Sequence, residues 1–248
     1  MNPLLDQLLE KGHVWQATQS PRPDTDRYST GYPELDTGLG GWPKGALTEL
    51  LLPHTGIGEL RLCLPLLKQL SQSGQAIFWF DPPHIPYAPA LARAGIQLSQ
   101  LFVVHTKHPK DQLWGMDQAL RSQACGLVLA WPDQPRPGDL RRLQLAAADG
   151  GSSAFIMRKE SDTQQASPAA LRLQLRPHPD GLSITILKRR GSWAGAEHVL
   201  RLPDPVTGQP IPSHPMPQDS PDTTPGTTVI QGPWAAEDNP VPNNPLQE

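Results

Sequence analysis

Residues 47–80, LTELLLPHTGIGELRLCLPLLKQLSQSGQAIFWF, decide the fold class. The apolar run 47–52, the glycine-containing loop, the run 60–70 at helical spacing and the apolar run 76–80 predict strand, helix, strand. The alternation continues outward. Residues 86–94 predict a second helix and 101–104 a buried strand. Residues 110–122 predict a helix with Leu113, Met116 and Leu120 on one side, 126–131 a strand, 140–148 a helix and 153–157 a strand. Strands that alternate with helices in this way imply an α/β fold, a mostly parallel sheet with flanking helices. After a polar loop over 158–167 the period changes. Leu171, Leu173 and Leu175, then Leu182, Ile184 and Ile186, alternate on either side of residues 177–181. That is the pattern of a C-terminal antiparallel hairpin with a long turn, followed by a last strand over 197–202.

The two ends of the chain read differently. Asn2 and Pro3 form a helix start, and Leu4, Leu5, Leu8 and Leu9 then share one face before Gly12. Residues 1–27 are thus an amphipathic helix and linker, whose apolar face either packs on its own domain or docks elsewhere. The chain holds 30 prolines in 248 residues, and 12 of them fall in residues 203–248 with six acidic residues and no Lys or Arg. Such a composition predicts a disordered, acidic tail. The whole chain carries a net charge of -3, so without the tail the body is at about +3, only mildly basic. Basic residues gather at Arg141, Arg142, Arg158, Lys159, Lys188, Arg189 and Arg190. They form no strong stripe of the kind an autonomous nucleic-acid binder carries, and only weak contact with single-stranded DNA is expected. Two cysteines, Cys63 and Cys125, sit in apolar runs and predict core thiols in a reducing compartment. With no membrane span or signal segment in the pattern, a cytoplasmic protein is expected.

The loop between the first strand and helix is where a phosphate would be cradled, and a nucleotide site there needs G-x-x-x-x-G-K-[ST]. Here Gly56 and Gly58 are followed by Glu59 and Leu60. A carboxylate in place of the lysine repels phosphate, and an isobutyl group in place of the hydroxyl removes a magnesium ligand. Taken alone, these residues also fit an ordinary strand-to-helix turn.

More of the chain resembles the RecA-like proteins. Residues 28–45, YSTGYPELDTGLGGWPKG, are similar to the segment that enters their ATPase core. Phe80-Asp81-Pro82-Pro83-His84 resembles their strand end with a water-orienting glutamate, whose position is held here by Pro83. Residues 121–131 resemble the strand whose last residue, an aspartate, holds magnesium, and Trp131 stands there instead. Asp133, beyond Pro132, is the one acid near enough to be offered as a replacement. Arg158-Lys159 stand where RecA places a signal-transmitting Asn-Gln pair, and the stretch Leu187 to Gly191 resembles a lysine-rich segment at the filament interface. The resemblance covers residues 28–202 and implies a RecA-like core domain without nucleotide, metal, other cofactor or small-molecule substrate.

Among such relatives the loop, with Leu51-Leu52-Pro53 followed by Gly56-Ile57-Gly58-Glu59-Leu60-Arg61-Leu62, resembles the ImuA family. That resemblance implies a non-catalytic adaptor in the SOS response to DNA damage. Its expected partners are ImuB or RecA and, indirectly, an error-prone DnaE-type polymerase in translesion synthesis. The candidate contact residues are Leu4, Leu5, Leu8 and Leu9, the basic Lys188, Arg189 and Arg190, and Trp234 in an apolar island of the tail. Two alternatives stand beside it: a SulA-like division inhibitor acting on the tubulin-like protein FtsZ, and a DNA-dependent ATPase with a displaced site. Residues 97–102, QLSQLF, loosely resemble a sliding-clamp peptide but read better as the entry to a buried strand. His105 and His108 lie close together without a third ligand, so no metal site is assigned.

Overall fold

The computed structural model describes residues 27–190 and 195–202, all within one of the two units into which the chain divides, Met1–Ser213. The expectations for Leu4, Leu5, Leu8, Leu9, Trp234 and the tail lie outside the described residues. A two-strand ribbon, β1 (Arg27–Tyr28) with β2 (Trp42–Pro43), brackets helix α1 (Pro33–Leu39). Then follow β3 (Leu47–Leu52), α2 (Glu59–Gln72), β4 (Ala76–Phe80), α3 (Ala88–Arg93), β5 (Leu101–Val104), α4 (Pro109–Arg121), β6 (Cys125–Ala130), α5 (Pro137–Gly150) and β7 (Ser153–Lys159). A 3-10 turn, Glu160–Gln164, leads to β8 (Leu171–His178), β9 (Gly181–Arg189) and β10 (Glu197–Leu200).

Eight strands form one mixed sheet in the order β10-β9-β8-β3-β7-β6-β4-β5. All pairs from β8 to β5 are parallel, while β8, β9 and β10 pair antiparallel. The α/β class and the C-terminal hairpin therefore stand as read. The hairpin turn is tighter than expected, because His178 already pairs with Gly181 and leaves two residues at its tip. Strand β3 is fully buried along its length, which suits a central strand covered on both faces. Leu62, Leu66 and Leu70 of α2 pack on one face with Trp79, Phe155 and the inward leucines of β8. Leu120 of α4 and Leu143 of α5 pack on the other. Cys63 and Cys125 are buried in these two layers, and burial pushes the Cys125 thiol up to about 12.

The segment read as the entry to the core anchors itself through helix α2. Pro65 lies inside that helix and has no N–H to give to the carbonyl of Arg61 four residues back. The Tyr32 hydroxyl donates to that carbonyl at 2.9 Å and so repairs the missing bond. Burial raises the Tyr32 phenol to about 12. Gly31 lies so close to the Pro65 ring that a Cβ would meet it at 2.3 Å.

A buried ionic cluster ties the hairpin to the core. Glu49 on β3 is fully buried and accepts from Arg158 of β7 at 2.8 Å and from Arg172 of β8 at 2.5 Å. Arg158 also donates to Asp162 and Gln165, and Arg172 donates to the carbonyls of Asp162 and Thr163. The expected polar loop over 158–167 thus begins as strand and then folds as a 3-10 turn over the cluster. Arg158, read in sequence as part of a surface basic group, is buried and neutralised.

Candidate functional site

The loop after β3, the ends of β4 and β6 and the end of β7 surround a cavity of 880 Å³ at the carboxyl ends of the parallel strands. Helix α2, which follows β3, and helix α5, which follows β6, pack on opposite faces, so the cavity lies where connections diverge, the usual ligand position of an open α/β sheet. Pro83 and Trp131 both line it, as do Pro53, His54, Asp133 and Arg136. The sequence thus brought the right strand ends together. The loop's own chemistry, however, is closed. Glu59 is buried, and its two carboxylate oxygens accept the N–H of Gly56 at 2.8 Å and of Gly58 at 3.1 Å. Amides that would hold a phosphate oxygen are therefore occupied by the chain's own anion. Gly58 caps α2 in a left-handed conformation, φ 112°, and Leu60 packs its half-buried side chain on the core.

Asp133, the one replacement acid, is not poised for chemistry. Trp131 leans edge-on against Trp79, with ring centroids 6.1 Å apart. Asp133 sits exposed on the rim and pairs with Lys159 at 3.5 Å. Asp81, two residues before Pro83, is structural: its carboxylate accepts Thr106 N–H and Oγ1, each at 2.7 Å, and Gln112 Nε2 at 2.8 Å. It clamps the ends of β4 and β5 to the start of α4.

The free edge of the sheet contrasts with this. Strand β5 was expected to be buried, yet it is the last strand of the sheet, and Phe102 and Val103 are 45% and 40% exposed. Phe102 stacks on Phe78 with centroids 5.2 Å apart. Ile85 and Tyr87, ahead of the short helix α3, are 90% and 67% exposed, and α3 buries none of its own residues. Leu98 and Trp114 add further exposed apolar surface. The run 97–102 is no free peptide: it is a 3-10 turn feeding this edge strand. Exposed apolar side chains on the last strand of a sheet are a candidate interaction surface. Periodicity alone could not find it, since an edge strand and a buried strand share one pattern.

The basic residues disperse. Arg142 and Arg121 bind Asp117, and Lys188 donates to the Ser167 carbonyl at 2.7 Å. Arg189 donates to the Gly38 carbonyl at 2.7 Å, and Arg190 is exposed beside it. Among the described residues, no three metal-ligating side chains cluster, and no helix is long and apolar enough to cross a membrane.

Residues 45–154 match the family model of the cell division inhibitor SulA. The cell division inhibitors SulA of Yersinia pestis and Yersinia pseudotuberculosis are 26% identical over 134 residues, covering 54% of this chain and 80% of each relative. The crystal structure of SulA from Pseudomonas aeruginosa aligns with 45% of the chain and 97% of its own length at 23% identity and a TM-score of 0.39. The sequence similarity to SulA thus runs from β3 through α5 to the first residues of β7. This likeness corrects the expectation of an ImuA-type adaptor for translesion synthesis, and with it the expected partners ImuB, RecA and a DnaE-type polymerase.

Proposed function

We propose that this chain is a SulA-like cell-division inhibitor of the SOS response that acts without catalysis, by docking the free β5 edge of its sheet on FtsZ. The observation that carries the reading is an overlap. The stretch similar to SulA, 45–154, includes every residue of the exposed apolar edge from Ile85 to Trp114, and stops before the hairpin. Phe102 and Tyr87 are large, rigid and 45% and 67% exposed, the kind of side chain that carries binding energy once desolvated.

We read the strand–loop–helix frame of residues 47–72 as a RecA-like core stripped of its chemistry. Glu59 on the loop amides, Pro83 and Trp131 support this, since each stands where phosphate, catalytic acid or metal ligand would be needed. We take residues 28–202 as the folded body, a bound supported by the RecA-like resemblance, and 1–27 and 203–248 as its extensions, the latter supported by its Pro-rich acidic composition.

The test is FtsZ polymerisation followed by light scattering with GTP. The full chain at equimolar ratio should suppress the polymer signal, and Phe102→Asp in a normally folded chain should relieve the suppression. Unchanged polymerisation, with no complex on a sizing column, would overturn the reading.

A further inference from the structure

Strand β5 offers main-chain groups as well as side chains. In a parallel ladder successive residues turn their peptide groups alternately toward one neighbour and away from it. The Asp81 N–H donates to the Val104 carbonyl at 2.9 Å, so Val104, and with it Phe102, turns its peptide groups toward β4. Val103, between them, turns its N–H and carbonyl outward. Among the described residues no strand lies beyond it. The Leu101 N–H also turns outward, but the Leu98 carbonyl takes it in the 3-10 turn.

Edge strands are ordinarily guarded by charge, proline, a bulge or a covering element. The other edge strand, β10, follows that rule. It carries Glu197 and His198, and α1 packs Gly38 so close to the His198 ring that a Cβ there would meet Cε1 at 2.1 Å. Strand β5 has none of these guards. Residues 97–104 contain no charge and no proline, and β5 keeps its register with β4 throughout. Its one protection is its length of four residues, which limits an added strand to a short segment. Charge sets a second condition. From 82 to 110 the chain carries Arg93, Lys107 and Lys110 and no Asp or Glu. All three cations are exposed, and none has a carboxylate partner among the described residues. The acids that bound the stretch are Asp81, turned to Thr106 and Gln112, and Asp111 on α4.

We propose that FtsZ adds one short extended strand to β5, exchanging main-chain hydrogen bonds at Val103, and that carboxylates flanking this strand meet Lys107 and Lys110. This rests on the docking reading above and names the mode of contact. An outward N–H and carbonyl are half of a ladder; an extended segment completes them, whereas a helix has its own peptide groups already paired. Alternate side chains of the added strand then lie beside Phe102 on one face of the sheet and beside Val103 on the other. The acid-free flank favours an acidic partner over a second copy of this chain, whose edge brings the same cations.

The test compares two changes at one position of the full chain, with FtsZ binding followed by titration and on a sizing column. Val103→Ala keeps the N–H and loses side-chain contact, and should weaken binding about three-fold. Val103→Pro removes an N–H that β4 does not use, and should weaken binding about ten-fold or more beyond Val103→Ala. Circular dichroism checks that the proline variant folds. Independently of any variant, hydrogen exchange of the Val103 amide should slow about ten-fold or more when FtsZ is bound. Lys107→Glu combined with Lys110→Glu should weaken binding about ten-fold, and added salt should weaken the wild type. If Val103→Pro binds like Val103→Ala while Phe102→Asp does not bind, strand addition is overturned and edge docking stands. A Val103 amide whose exchange FtsZ leaves unchanged overturns it too. So does an amide already slow in the free monomer, which would put a segment of this chain on the edge, or a dimer that Val103→Pro dissolves without affecting FtsZ binding. A charge-reversed variant that binds like the wild type overturns the acidic flanks. FtsZ binding that no edge variant weakens, Phe102→Asp included, overturns the docking reading itself and this inference with it.

Discussion

The carboxyl ends of the parallel strands and the free β5 edge are opposites in how they treat unsatisfied groups. At the strand ends the loop amides and the rim lysine have found internal partners: Gly56 and Gly58 give their amides to Glu59, and Lys159 meets Asp133. At the edge, Phe102, Val103, Ile85 and Tyr87 remain in solvent. Internal satisfaction stabilises a fold but leaves nothing to offer a substrate, whereas exposed apolar surface is stabilised only when something covers it. The contrast is what the proposed docking reading draws on: it takes the edge as the contact surface and the strand ends as scaffold.

The sharpest way to test that division is to break the scaffold. Glu49→Ala would leave Arg158 and Arg172 buried without their carboxylate, and the chain should lose about 3–5 kcal/mol of stability in denaturant unfolding. Next in size is the edge. Phe102→Asp should weaken FtsZ binding by about 2 kcal/mol or more while moving the unfolding midpoint little, because the side chain is already nearly half exposed. If Phe102→Asp unfolded the chain as Glu49→Ala does, the edge would be core and the contrast would fail.

The contrast was only half legible in the sequence. The strand ends drew attention in the sequence, Glu59 and Leu60 through the spacing of the glycine loop and Pro83 and Trp131 through the resemblance to RecA-like strand ends. The edge did not: Leu101 to Val104 is as apolar as β6, and only the sheet order, which periodicity does not encode, leaves β5 outside. The buried cluster was invisible for a related reason. Glu49, Arg158 and Arg172 lie up to 123 residues apart and meet only because β7 and β8 flank β3. Arg158 therefore read as surface charge. Helix α1 and the β1–β2 ribbon escaped because two-residue strands and a seven-residue helix carry no periodic signal. Tyr32 was quoted as part of a motif, yet its role depends on Pro65, 33 residues away, having no N–H to give.

Glu59 tests the closed side more finely. Glu59→Ala should cost about 1–2 kcal/mol, since the amides of Gly56 and Gly58 lose their acceptor in a partly buried loop. If the strand ends are scaffold, opening the loop this way should still give no binding of MgATP by fluorescence titration, because Leu60 and Trp131 supply no metal ligand. ATP binding in Glu59→Ala would mean that the carboxylate alone had been closing a working site.

The smallest effect concerns the helices that back the edge. Asp117 of α4 accepts from Arg142 of α5 at 3.1 Å and from Arg121 at 3.4 Å. Burial alone would raise its carboxyl, but the two guanidinium groups outweigh burial and hold it below the usual carboxylate range. A depressed folded-state pKa means the pair contributes its stability above about pH 3.9, the ordinary aspartate value. That contribution is then lost as pH falls through the lower folded value. The partners are partly exposed, so the gain is that of a screened ion pair, and salt should shrink it. Asp117→Asn should flatten the acid limb of a melting-temperature profile and leave the neutral region nearly unchanged. It should also leave FtsZ binding intact, because the ion pair holds α4 to α5 and not to the exposed face of β5. Loss of binding in Asp117→Asn at neutral pH would show that α4 does more than back the edge, and Trp114 on its exposed side would then be the first residue to change.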